Sequence, residues 1–230
     1  MQESVFLFDV DNTLLDHDRV SAALRKFLTK EVGEERTTTY WKIFEDLRLR
    51  LGYADYLGAL QQYRAEYPYD SHVLAVSTFL INYPFANRLF PRSLDVIEHF
   101  QKFGPVVILT DGDAVFQPRK IECSGLGEAV SNNILIYVHK EKELADIERR
   151  YPAEHYFLFD DKLRILSSIK EQWRERVTTV FVRQGHYALD ATEVAKYPAA
   201  DLTVEMIGDL LDFEPAGNAL INKVQLTAVG

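Results

Sequence analysis

An α/β fold, in which a Rossmann-like parallel sheet carries an inserted all-helical cap, follows from three observations. Short, continuously apolar runs recur along the chain and end in polar residues. From about residue 91 onward, segments with helical spacing separate these runs. Between residues 16 and 88 the helical spacing persists but no strand-like run occurs. Apolar runs of four to six residues suit strands buried on both faces, the condition of a parallel sheet covered by helices. Strands alternating with helices complete the pattern.

Taken in order, Val5-Phe6-Leu7-Phe8 is the first strand, followed at once by acids. The segment 16–88 is read as the cap; Trp41, Phe44, Leu47, Leu51, Leu57 and Leu60 recur on a helical period within it. Its many aromatics, among them Tyr40, Tyr53, Tyr56, Tyr63, Tyr67 and Tyr69, are read mainly as a bundle core, with one or two facing a substrate. Pro91 starts a helix over Ser93 to Phe103, with Leu94, Ile97 and Phe100 spaced by three, and Gly104-Pro105 ends it. Val106 to Leu109, Ile134 to Val138, Tyr156 to Phe159 and Val177 to Val182 are the next strands; Asp201 to Val204 adds a shorter one. Helices over Asp113 to Cys123, Glu141 to Arg150 and Leu163 to Trp173 fill the gaps. Residues 1–15 and 89–230 thus form the α/β core, and the tail beyond Phe213 has no assigned structure.

Bulk properties narrow the function. A chain of 230 residues with 47% hydrophobic and 27% charged residues is an ordinary globular composition, long enough to bury a sizeable core. A formal charge of -9 repels polyanions, so nucleic acid and anionic membranes are not expected partners, while a local cationic site still admits a small phosphorylated substrate. The single cysteine, Cys123, has no internal disulfide partner and is read as a bystander thiol. No secretory leader and no membrane-length apolar stretch is visible, so a cytoplasmic location is expected.

Each trusted strand ends in a reactive residue type: Asp9 and Asp11, Thr110, His139 and Lys140, then Asp160 and Asp161. In open α/β sheets ligands bind outside the carboxyl ends of the strands, so these residues should converge. Together they offer what phosphoryl transfer requires: a carboxylate nucleophile, an acid/base, hydrogen-bond donors, a cation and oxygen ligands for magnesium.

Asp9-Val10-Asp11-Asn12-Thr13-Leu14 resembles the first motif of the haloacid-dehalogenase-like hydrolase superfamily. The strand before Thr110-Asp111-Gly112-Asp113 is similar to its second motif, Lys140 to its third and Asp160-Asp161 to its fourth, covering residues from about 4 to about 205. A helical insertion after the first motif resembles the commonest cap class. The resemblance implies Asp9 as nucleophile and Mg2+ ligand, with Asp11 as general acid/base whose carbonyl also touches the metal. It implies Val10, Asp11, Thr110, Asp111 and Lys140 around the phosphate, Lys140 as counter-charge, and Asp160 and Asp161 on the metal. Asp11 also separates branches: dehalogenating members lack an acid there, whereas an alkoxide leaving group needs a proton. Two departures stand out. Glu141 follows Lys140 where proline is common, leaving Lys142 as a rival, and Thr-Asp-Gly replaces the frequent Thr-Asn-Gly. Asp111 is therefore given a supporting role with its side chain turned away.

Several residues carry plainer readings. Asp16-His17-Asp18 is read as a linker and helix start rather than a metal cluster. His139 is expected to point to the face opposite Lys140. Lys120 is read as structural or solvated, and Arg88 and Arg92 as surface arginines. The expected function is a magnesium-dependent phosphomonoesterase, against a phosphotransferase or mutase on the same scaffold. A receiver-type signalling domain and a non-catalytic binding protein are the readings from other classes. Oligomeric state is open.

Overall fold

In the computed structural model, which describes residues 2–223, the apolar runs form one six-stranded parallel sheet. Its strands are β1 (Gln2–Phe8), β2 (Val106–Asp111), β3 (Ile134–Tyr137), β4 (Ala153–Asp160), β5 (Val177–Val182) and β6 (Leu202–Val204), in the order β3-β2-β1-β4-β5-β6. The chain moves outward from β1 to β3, then crosses back to β4 on the other side of β1. The strand order therefore reverses at β1, which opens a crevice at its carboxyl end.

Both faces of the sheet are dry. Phe6, Phe8, Phe157 and Phe159 lie on one face with Phe100, while Val5, Leu7, Tyr156 and Leu158 lie on the other with Ile169 and Trp173. In the β1–β4 register Phe6 pairs with Phe157 and Phe8 with Phe159. Their rings stack, with centroids 5.0 Å and 4.0 Å apart and interplanar angles of 12° and 3°. Cross-strand aromatic pairs of this kind fix register as well as adding contact energy.

Helices cover the sheet and form the insertion: α1 (His17–Leu51), α2 (Tyr56–Glu66), α3 (Val73–Ile81), α4 (Ser93–Gln101), α5 (Phe116–Ser124), α6 (Leu126–Ala129), α7 (Leu144–Arg150), α8 (Leu163–Trp173), α9 (Gly185–Leu189) and α10 (Ala191–Val194). The segment 17–88 contains α1 to α3 and one 3-10 turn, with no strand. Asp16 caps α1 by accepting from the Arg19 N–H, and Gly52 ends it in a left-handed conformation. Non-helical angles at Gly33 break this 35-residue element. Tyr40, Trp41, Phe44, Tyr56 and Tyr63 are buried, and Phe116 of α5 contacts both Tyr56 and Phe85, so insertion and sheet share one apolar core.

Three details differ from expectation. The third strand stops at Tyr137, where Val138 is already half exposed at the sheet edge. The helix read over residues 113–123 begins only at Phe116, because the Asp113 carboxylate accepts from the Val115 and Phe116 N–H groups and holds a turn. The unassigned tail begins with a hairpin, β7 (Phe213–Ala216) and β8 (Ala219–Asn222), turning at Gly217 with φ 58°. Residues beyond 223 lie outside the described chain. No described helix is long and apolar enough to cross a membrane.

Candidate active site

Asp9 is the first residue beyond β1, and its N–H donates to the Phe159 carbonyl at 3.0 Å. That bond ties it to β4, whose last residue is Asp160. Asp9, Asp160 and Asp161 are buried, and one oxygen from each lies within 4.8 Å of the others. Asp9 Oδ2 and both Asp161 oxygens have no hydrogen-bond partner among the described residues. Unpaired buried carboxylate oxygens are costly. A hard cation with oxygen ligands is the group that satisfies such a set, and magnesium fits it.

Lys140 supplies the counter-charge. It follows β3 in a 3-10 turn, is 2% exposed, and donates to Asp9 Oδ1 at 2.6 Å and to the Leu109 carbonyl at 3.1 Å. Its Nζ is 2.7 Å from Asp160 Oδ2. Burial alone would lower its pKa, but Asp160 and Asp9 outweigh that and keep it charged. Lys142, the alternative lysine, is exposed. Burial pushes Asp9 up to about 6; Asp160 adds to the rise and Lys140 opposes it. Burial also raises Asp161.

Asp11 does not join this cluster through its side chain. It points into the cleft, where Lys120 Nζ donates to both of its oxygens, at 2.6 and 2.7 Å. Burial would raise the Asp11 pKa, yet His17 and Lys120 bring it down to about 2. His17 is itself lowered to about 4, chiefly by burial, and is neutral near pH 7, so Lys120 is the charge that matters. Of the two readings given to Lys120, structural or solvated, the solvated one is corrected: the residue is 1% exposed with its ammonium on Asp11. Sequence spacing hides this contact, since the partners are 109 positions apart and a lone helical lysine usually faces water.

The residues expected from the sequence to face a phosphate begin on the next strand. Thr110, 1% exposed, ends β2 with Asp111, and its Oγ1 accepts from Gln117 Nε2 at 3.0 Å. The Asp111 side chain does not turn away; its Oδ1 accepts from the Lys140 N–H at 2.7 Å and pins the turn that carries that lysine. Val10 is fully buried, and its carbonyl accepts from the N–H groups of Thr13, Leu14 and Leu15. Asn12 sits at φ 60°, a region asparagine tolerates. Its side chain accepts from the His17 and Asp18 N–H groups, which fixes the entry into α1. Gly185 is required beside it, because a Cβ there would come within 2.4 Å of the Asn12 side chain.

Of the flanking residues, His17 begins α1 as expected but reaches further. Its ring lies 3.4 Å from Asp11 and 2.7 Å from the Tyr56 hydroxyl. His139 is outside the strand, so alternation does not govern it, and its ring packs on Gly52 of the insertion. Arg88 donates to Tyr83 and Arg92 pairs with Asp95, both away from the cleft. That cleft, about 950 Å³, lies between sheet and insertion. Asp11, Asp111, Asp161 and Lys162 lie on its core side, with Trp41, Phe44, Arg48 and Tyr56 on the other. Lys162 is a further cation not anticipated from sequence; Asp161 and Asp9 outweigh its burial and raise its pKa.

A family model described as haloacid dehalogenase-like hydrolase matches residues 4–147. A crystal structure described as a haloacid dehalogenase-like hydrolase from Burkholderia xenovorans LB400 is 54% identical, with a TM-score of 0.91 over 94% of this chain and 100% of that one. The HAD-hydrolase YfnB from Bacillus subtilis, bound to magnesium, is 17% identical over 91% of this chain and 97% of its own, at a TM-score of 0.59. An L-2-haloacid dehalogenase from Xanthobacter autotrophicus with chloropropionic acid covalently bound is 18% identical over 92% and 97%, also at 0.59. The last two show likeness of fold alone. No curated protein matches the sequence.

Proposed function

Because the chain belongs to the haloacid dehalogenase-like hydrolase family, we propose that it is a magnesium-dependent phosphatase of small phosphomonoesters, acting through an aspartyl-phosphate on Asp9. The observation that carries this reading is the pairing of two differently held aspartates. Asp9 lies in a buried carboxylate triad with oxygens left open. Asp11, two residues on, faces the cleft in the grip of Lys120. Displacement of a halide from carbon needs neither a cation nor a proton donor, whereas a phosphate ester benefits from both.

Asp9, Asp160 and Asp161 would hold the magnesium, with the Asp11 carbonyl as a further oxygen. When bound, the ion neutralises charge on the phosphoryl oxygens. Thr110 and Lys140 orient and neutralise the same group. In the first step an Asp9 oxygen attacks phosphorus and the ester P–O bond breaks. The leaving oxygen takes a proton from Asp11. Asp11 rests as a carboxylate and holds no proton of its own. It relays the one carried by a substrate entering as the monoanion, whose second pKa is near 6, to the far more basic leaving oxygen as the ester bond breaks. Water then attacks phosphorus and gives its proton to Asp11. The Asp9–phosphate bond breaks, free phosphate departs, and the Asp9 carboxylate is restored.

Asp9→Asn should abolish release of free phosphate from an aryl phosphate while circular dichroism stays native; turnover near wild type would sink the nucleophile assignment. The likeness to L-2-haloacid dehalogenases makes halide release from a 2-haloacid the competing assay. Halide release without phosphatase activity overturns the proposal.

A further inference from the structure

Two side chains of α5, neither of them in the nucleophile and metal cluster, join the acid/base to the phosphate-binding threonine in one chain of hydrogen bonds. Lys120 Nζ donates to Asp11 Oδ1 at 2.6 Å, to Asp11 Oδ2 at 2.7 Å and to Gln117 Oε1 at 2.7 Å. These three bonds use every proton of the ammonium. They leave Gln117 its amide N–H2, which donates to Thr110 Oγ1 at 3.0 Å. Lys120 and Gln117 are 1% and 2% exposed, so water does not compete for these partners.

The polarity of the chain has consequences at both ends. Lys120 is a donor only, which fixes the Gln117 oxygen toward the lysine and its nitrogen toward Thr110. Thr110 is thereby an acceptor in its best contact, and its own proton has only the Asp111 carbonyl at 3.4 Å. That proton is free to turn to a phosphoryl oxygen. At the other end, both oxygens of Asp11 are held by one buried point of charge. The carboxylate cannot rotate to solvent, although its side chain is 23% exposed. Four residues drawn from β2, α5 and the loop after β1 are thus joined in one hydrogen-bonded chain.

We propose that Lys120 and Gln117 are positioning residues of the reaction: Lys120 sets the Asp11 carboxylate for proton transfer to the leaving oxygen, and Gln117 fixes Thr110 as a donor to the phosphoryl group. This rests on the phosphatase reading above. The two roles separate by leaving group. An alkoxide departs only with a proton, whereas 4-nitrophenolate departs unaided, so a defect in Asp11 shows on the first and hardly on the second. A defect in Thr110 weakens phosphate binding for both.

The test compares kcat/KM for 4-nitrophenyl phosphate and for a panel of alkyl phosphates, in wild type, Lys120→Met and Gln117→Met, with magnesium present. General acid catalysis contributes about 10²- to 10⁴-fold. Lys120→Met should therefore lower kcat/KM for the alkyl esters at least ~10-fold more than for the nitrophenyl ester. Gln117→Met should lower both and weaken inhibition by inorganic phosphate, with a smaller split between the ester classes than Lys120→Met because it removes only one of the three partners of the ammonium. Equal losses on the two ester classes in Lys120→Met, with native circular dichroism, would show an ion pair that only supports the fold and would overturn the inference. If Lys120→Met does not fold, Lys120→Arg replaces it, since the broader guanidinium cannot reproduce the single-point grip; the same split is expected, and its absence has the same meaning. A wild type that hydrolyses neither ester class overturns the phosphatase reading itself, a result distinct from equal losses in the variants.

Discussion

Asp161 illustrates how a site residue works against the fold that holds it. Both of its oxygens are buried without a donor among the described residues, and burial raises its pKa. Replacing an uncompensated buried acid with its amide removes that penalty. Asp161→Asn should accordingly melt above wild type without metal. Magnesium should raise the melting temperature of the wild type, since an ion that binds only the native state stabilises it by mass action, but not that of the variant. Calorimetry with and without magnesium chloride checks both signs; an unchanged magnesium response in the variant would remove Asp161 from the metal site. At this scale the residues at strand ends were readable, because a run of apolar residues that stops in an acid marks both the strand and its exposed end. Lys120 was not. Its contact with Asp11 depends on α5 laying it across the end of β1, and no local spacing encodes that.

At the scale of the element, the decisive unit is the β1–β4 pair. Phe8 and Phe159 are fully buried and stacked directly before the Asp9 and Asp160 pair. Phe8→Ala should cost about 3–5 kcal/mol in denaturant unfolding, the usual range for a buried phenylalanine. Gly185→Ala should destabilise as well, from both its φ of 73° and its contact with Asn12, and disturb the start of α1. Paired unfolding curves at one pH measure each; a Gly185→Ala protein as stable as wild type would show that Asn12 can yield. The strands were legible because burial on both faces leaves an unbroken apolar signature. The hairpin formed by β7 and β8 was not, because Phe-Glu-Pro-Ala carries neither a run nor an alternation. The long α1 read only as scattered helical spacing, since Gly33 interrupts its period.

Across the whole molecule, the insertion and the sheet share a core, joined where Phe116 meets Tyr56 and Phe85. The two tryptophans report on the halves separately: Trp41 is in α1 and Trp173 ends α8. Their fluorescence, isolated in Trp41→Phe and Trp173→Phe, should give coincident thermal transitions. Separated transitions would mean that the halves unfold independently. Acid should weaken the whole fold. His155 is 3% exposed, and burial, with Lys170, lowers its pKa. The unfolded chain therefore binds a proton near pH 6.5 that the native state refuses. His155 contributes no penalty above that pH, and stability falls as the pH drops through it. His155→Leu should flatten the melting-temperature profile between pH 7.5 and 5.5, read against wild type at each pH.

The stacked rings of β1 and β4 also carry an implication for error. Strands shift against one another only in whole residues, about 3.3 Å at a time, and each single step turns every side chain to the other face. Catalytic groups lose much of their rate on displacements near 1 Å. Mispairing at this seam is thus digital rather than gradual, and a slipped chain would be inert instead of sluggish. In a preparation that is only partly active, the fraction of competent molecules, counted by active-site titration, should account for the deficit, with each competent molecule working at full speed.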